Sequence, residues 1–324
     1  MGFGAAHPPR VDVHQHLLGE PLRAALAARS APPRLRRDGD RWLLEVANEP
    51  PYALDPASED LDARGALVEQ DGLDLALIAL STALGIEGLP PDEAATLIEA
   101  FDQGVDALPA RFGAWGSVGL LEPDPDTIDA LLERGRVGLT LPAGALATRA
   151  GLERCGPLLE RLEQHDAPLF VHPGPSPWEP PTVTESEWAP LAAPGFAWWP
   201  ALTAYIAQMN AAWHAFVAAG RLHHARLRVV FALLAGAAPL HVERLAARGG
   251  PATRVTDPGL HYEISSYGPR AAEAVGRVVG VRQLAYGSDR PLVEPDPLTE
   301  SLWAVAAAEN GARIALPLSV ELAA

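Results

Sequence analysis

Two histidines one residue apart, His14 and His16 in the run VDVHQHLLGE, are the first residues whose spacing suggests chemistry. Alternate side chains of a β-strand point the same way, so a strand ending here aims both imidazoles at one centre. Taken alone, the pair is equally compatible with two unrelated histidines. Two further runs supply matching groups. APLFVHPG ends an apolar stretch on His172, and QLAYGSDRP ends another on Asp289, followed by Arg290 and Pro291. Three imidazole nitrogens and a carboxylate, each at a strand C-terminus, suit zinc or a similar divalent ion and leave a position open for water.

Such a set needs strands that end at one place. Eight short runs, mostly continuously apolar, read as strands buried on both faces: 10–14, 73–81, 112–118, 137–141, 168–172, 227–233, 261–265 and 283–287. Helical spacing fills the intervals at 60–70, 92–108, 124–134, 153–164, 202–219, 239–248, 271–279 and 297–309. Alternating strands and helices predict an α/β fold, a (β/α)8 TIM barrel spanning 1–324 as a single domain. Two stretches exceed a minimal barrel. Residues 20–56 read as a hairpin insertion after strand 1, with Asp38-Gly39 as its turn. Residues 173–200 form a Trp/Pro-rich insertion after strand 5, containing Trp178, Trp188, Trp198 and Trp199. Both follow strand C-termini, so they either wall a pocket or pack a subunit interface.

Composition narrows the function classes. The net charge of −16, from 41 acidic and 25 basic residues, repels phosphate backbones and anionic lipid, so no nucleic-acid or membrane role is expected. No signal-like start and no bilayer-length apolar run is present, which predicts a cytoplasmic address. The single cysteine, Cys155, excludes a disulfide framework and a multi-cysteine zinc site. Every basic residue is arginine. Schiff-base, carbamate and P-loop chemistry all need a lysine that this chain lacks.

HxH after the first strand, VHPG after the fifth and GSDxP after the eighth resemble the signature order of the amidohydrolase superfamily. The closest resemblance is to its amidohydrolase-related branch, which includes aminocarboxymuconate-semialdehyde decarboxylase and aromatic-acid decarboxylases. The resemblance covers nearly the whole chain, including the terminal run ENGARIAL. It implies that His14, His16, His172 and Asp289 bind metal, and that Asp289 also takes a proton from bound water. Two departures stand out. The fourth strand, RVGLTLPAG, offers no lysine to bridge a metal pair, so one divalent ion is expected, zinc first and manganese or iron next. The sixth strand reads VVFALLAGAAP, with Leu233 where relatives place a histidine that polarises substrate or shuttles a proton.

Around this set stand further candidates. Arg290 either holds a substrate carboxylate or forms a rim salt bridge. Glu263 either fixes a ligand tautomer or makes a structural hydrogen bond. His241 either replaces the missing histidine or is a surface residue at a helix start. Tyr262, Trp178 and Trp199 are candidate contacts for an apolar or aromatic substrate body. The leading expectation is a metal-dependent hydrolase acting on a small amide, cyclic amide or lactone, with Asp289 as proton acceptor. The alternative is a non-oxidative decarboxylase of an aromatic or unsaturated acid. A third reading is a binding protein altered by Leu233. The partner in every case is a small molecule, with a homodimer as the oligomeric state to test.

Overall fold

Val, Leu, Ile and Phe dominate the short runs between helices, and a strand of such residues is stable only where both faces are covered. In the computed structural model, which describes residues 8–47, 49–179, 199–295 and 302–315, every such run is a parallel strand. Strand β1 (Val11–Gln15) is buried along its whole length. It is followed by α1 (Glu20–Ala27), then by β2 (Arg34–Asp38), β3 (Arg41–Glu45) and β4 (Tyr52–Leu54). Next come α2 (Leu61–Gln70), β5 (Leu75–Ile78), α3 (Pro91–Asp106), β6 (Phe112–Ala114) and α4 (Asp126–Glu133). The centre of the chain contributes β7 (Leu139–Pro142), α5 (Ala143–Leu146), α6 (Arg149–Gln164) and β8 (Leu169–His172). Helices α7 (Trp199–Leu202), α8 (Ala204–Ala215) and α9 (Arg221–His223) lead to β9 (Val229–Phe231), α10 (Val242–Ala247) and β10 (Leu260–Glu263). The chain then forms α11 (Pro269–Val279), β11 (Leu284–Ala285) and α12 (Leu302–Ala315).

The parallel strands form two sheets, β1-β5-β6 and β7-β8-β9-β10-β11. Backbone bonds join them at both seams. Val137 N donates to Ala114 O at 3.0 Å and Gly116 N to Gly138 O at 2.8 Å. On the other side Val13 N donates to Tyr286 O at 2.9 Å, and His16 N to Arg290 O at 2.7 Å. Hydrogen bonds therefore run from β1 through all eight parallel strands and back to β1. Large side chains fill the interior: Trp115 stacks on Phe170 at 5.2 Å between centroids and donates Nε1–H to Val13 O at 2.9 Å.

The antiparallel sheet β2-β3-β4 lies beside the strand ends. Asp38 pairs with Arg41, leaving Gly39 and Asp40 as a two-residue turn in which Gly39 takes φ +60°. Leu35, Leu44 and Leu54 point inward and are buried. Residues 180–198, and with them Trp188 and Trp198, lie outside the described residues. No helix among the described residues is long and apolar enough to cross a membrane.

After β9 the backbone turns left-handed for five residues. Leu233, Leu234, Ala235, Gly236 and Ala237 have φ between +49° and +60°. Each non-glycine residue there costs about 1–2 kcal/mol. Packing holds the run in place: a Cβ on Gly236 would meet Ile206 O at 2.5 Å, so α8 lies directly against it.

Candidate metal centre

Strand parity puts Asp12, His14 and His16 on one side of β1, facing the interior. His14 Nε2 lies 3.0 Å from His16 Nε2, which lies 3.2 Å from His172 Nε2. Asp289 Oδ1 approaches two of them, lying 3.4 Å from His14 Nε2 and 3.3 Å from His16 Nε2. All three imidazoles are buried. The four groups that carried the sequence argument thus converge from the ends of β1 and β8 and from the residues just after β11.

What orients the rings is equally specific. His16 Nδ1 lies 2.9 Å from Ala79 O, and His172 Nδ1 lies 2.9 Å from Pro173 O. A carbonyl only accepts, so each Nδ1 carries the hydrogen and each Nε2 presents its lone pair. His14 Nδ1 faces the buried Glu263 carboxylate at 3.3 Å. Glu263 is held in turn by Ser265 Oγ at 2.9 Å and by Leu233 N at 3.2 Å, with Ser265 N as a further donor. Such outer partners fix the tautomer and raise ligand basicity.

The electrostatics call for a cation. Burial works against charging His14, but the carboxylates of Asp289 and Glu263 outweigh it and raise its pKa to about 9. Burial, reinforced by the neighbouring imidazoles, holds His172 well below its usual value. Burial pushes Asp289 upward, yet His14 and His16 prevail and leave it below the ordinary carboxylate range. Its Oδ1 is buried without a hydrogen-bond partner. Without an ion, protonated His14 supplies the positive charge that these carboxylates require; a divalent ion would take the place of that proton and satisfy the orphaned oxygen. Nitrogens bound at about 2.1 Å to one ion lie roughly 3.0 to 3.4 Å apart at octahedral to tetrahedral angles, which the observed separations match. The donor set therefore fits a single divalent metal.

Gly287 makes this packing possible. A Cβ there would sit 2.2 Å from Glu263 Oε1 and 2.6 Å from His14 Cβ. Gly287→Ala is expected to displace one of these groups and weaken metal affinity about 10- to 100-fold. Titration of the metal-stripped variant with zinc or manganese measures this, and wild-type affinity would contradict the role.

A pocket of about 440 Å³ opens over the centre, lined by its four donors and by Leu17, Leu44, Leu84, Ile206, Leu233 and Tyr267 among others. Other candidates from the sequence lie elsewhere. Arg290 is buried beside the centre but turned away, its Nη2 pairing with Asp71 at 3.1 Å and Glu294 at 2.9 Å. Tyr262 faces outward from β10, its hydroxyl accepting from Trp213 Nε1 at 3.1 Å. Its neighbours in β10, including Glu263, face inward, so parity accounts for the difference. Trp178 packs under Arg154, with the guanidinium 5.0 Å from its ring. Trp199 begins α7, and its side chain lies outside the described residues. His241 is exposed and sits near His214, apart from the pocket wall. Cys155 is buried in α6, where burial pushes its thiol up to about 12.

Several supporting residues carry weaker signals in the sequence. Asp12 Oδ1 accepts from His14 N at 3.0 Å and Ser288 N at 3.1 Å, tying β1 to the segment after β11. Its i−2 spacing from His14 is the one clue to this. Arg64 of α2 donates to His16 O at 3.0 Å and also reaches Gln15 Oε1. Thr82 Oγ1 lies 3.0 Å from His172 Nδ1. Neither side chain has a spacing relation to the ligands, and the Ala79 carbonyl has no side-chain signature at all.

No protein-family model and no curated protein matches the chain. Solved structures do. IDCase from Metarhizium anisopliae matches with TM-score 0.76 at 18% identity, over 97% of this chain and 98% of that one. The 5-carboxyvanillate decarboxylase of Sphingomonas paucimobilis matches with TM-score 0.70 at 18% identity, over 95% and 99%. The 5-carboxyvanillate decarboxylase of Novosphingobium aromaticivorans, complexed with manganese and a nitrobenzoic acid, matches with TM-score 0.62 at 17% identity, over 98% and 92%. These neighbours are amidohydrolase-superfamily enzymes, and the chain has their fold, in agreement with the family its motifs resemble.

Proposed function

We propose that the chain is a metal-dependent, non-oxidative decarboxylase of an aromatic acid, built on a closed (β/α)8 barrel. The observation that carries this reading is the convergence of Asp289 with three metal-suited imidazoles under an apolar wall that includes Leu233. One carboxylate serves either reaction by taking a proton and returning it, from water to the leaving group in hydrolysis or from the substrate hydroxyl to the ring carbon in decarboxylation, and the aliphatic wall suits the departure of carbon dioxide. The structural neighbours named as decarboxylases support the same choice.

His14, His16, His172 and Asp289 would hold the metal, which supplies Lewis acidity toward the substrate carboxylate and an adjacent hydroxyl. Asp289, held below the ordinary carboxylate range, starts as a base and takes the hydroxyl proton. It then gives that proton to the ring carbon bearing the carboxylate. The carbon–carboxyl bond breaks, carbon dioxide leaves, and the phenoxide takes a proton from solvent on release. The aliphatic wall excludes water from the departing group.

Hydrolysis stays as the second reading, because an ionised Asp289 also suits a base acting on water. The two separate in one assay. Protein loaded with manganese or zinc is expected to release carbon dioxide from ortho-hydroxy aromatic acids. Hydrolysis of amides or lactones with no carbon dioxide from any acid would reverse the order.

A further inference from the structure

The pocket over the metal centre has an unusual charge pattern. Its wall among the described residues contains no arginine, and the chain has no lysine. The charged wall groups beyond the centre are both carboxylates, Glu49 and Glu59. Glu49 accepts from the Tyr205 hydroxyl at 2.7 Å, and Glu59 accepts from Leu18 N at 2.7 Å. Most of the remaining wall is aliphatic, including Leu17, Leu44, Leu54, Leu84, Ile206 and Leu233. Arg290, the nearest buried guanidinium in sequence to the centre, turns its Nη2 to Asp71 and Glu294 and does not line the pocket.

We infer that this pocket accepts an acid with one anionic group, anchored at the metal centre, and an otherwise apolar body, and that Leu233 helps to set that preference. The inference rests on the decarboxylase reading of the site. A substrate carrying a second carboxylate would bring it, desolvated, among aliphatic side chains and two like charges, with no donor cation to meet it. Leu233 is placed to matter because it lines the pocket while its backbone N–H is anchored on Glu263 behind His14. An imidazole at that position would offer a polar group to the substrate; leucine offers only contact area.

The test compares 3-isopropyl-2-hydroxybenzoate with 4-hydroxyisophthalate on the manganese-loaded full chain, by calorimetric binding and by carbon dioxide release. The apolar acid is expected to bind at least about 30-fold tighter than the dicarboxylate. Leu233→His is expected to cut that ratio about tenfold. Histidine adopts the left-handed backbone of this position more readily than leucine, so the variant should fold. Leu202→Arg, at an exposed part of the rim, gives an independent arm: it should raise dicarboxylate affinity without weakening the apolar acid. Equal or tighter binding of the dicarboxylate to the unaltered protein overturns the inference, as does failure of the apolar acid to bind at millimolar concentration. A preserved binding ratio with no carbon dioxide sinks the decarboxylase reading and leaves the inference standing. Equal turnover of both acids does the reverse.

Discussion

Asp289→Asn is expected to lower kcat about a thousandfold while the protein still folds and still takes up a metal ion. Asparagine keeps the size of the side chain and one oxygen for the ion, but it can neither take nor return a proton. The left-handed backbone at residue 289, with φ +55°, suits asparagine as well as aspartate. Three imidazoles with fixed tautomers remain, so metal affinity should fall by about 10- to 100-fold and be restored by excess metal. Activity should stay low under that excess. Recovery of near-normal turnover with added metal would mean that Asp289 is only a ligand, and that the proton comes from another group.

The second large effect concerns stability and lies away from the metal centre. Glu87 is 1% exposed, and neither carboxyl oxygen has a hydrogen-bond partner among the described residues. Burial pushes its pKa from the ordinary 4.5 up to about 8. Below pH 4.5 both folded and unfolded chains hold the proton, and burial carries no ionisation cost. Between 4.5 and 8 the unfolded chain releases it while the folded one does not, so stability falls as pH rises. Above 8 the loss is complete. Glu87→Met, an apolar replacement of similar length, is therefore expected to be more stable than the unaltered protein by roughly 3 kcal/mol at pH 7. The gain should grow by about 1.4 kcal/mol per pH unit between pH 5 and 8. Urea unfolding at several pH values reads this directly, and a pH-independent difference would show that Glu87 is paired in solution.

Much of the centre was legible because strands impose a period of two and bring their C-terminal ends together. Given that rule, His14, His16, His172 and Asp289 identify themselves, and the structure gathers all four. The same rule separates Glu263, which faces the centre, from Tyr262, which does not. Arg290 shows where sequence falls short: its position next to Asp289 is plain, but its direction depends on Asp71, far away in the chain. The strands are shorter than their apolar runs suggest, as at Leu75–Ile78 within 73–81, because apolar composition continues into the buried loops that follow. Helix α1 fell inside the expected hairpin insertion, although its Ala-rich run EPLRAALA after Gly19 is a good helix former. Turn chemistry located the hairpin to within one residue: the turn is Gly39-Asp40 and not Asp38-Gly39, because Asp38 still pairs with Arg41, and Gly39 meets the positive φ cheaply.

The seam between the first and last strands has a consequence for how the protein is made. Val13, His14 and His16 find backbone partners on residues 286–290, and Asp12 finds Ser288. Emerging from the ribosome at about 5–20 residues per second, β1 waits on the order of tens of seconds for those partners. Through that interval it presents a row of unpaired backbone groups, the kind of edge that captures other chains. Nascent chains stalled between the synthesis of β10 and β11 would thus be prone to stick to one another, and the arrival of GSDR removes the hazard and brings Asp289 to the three imidazoles in the same event.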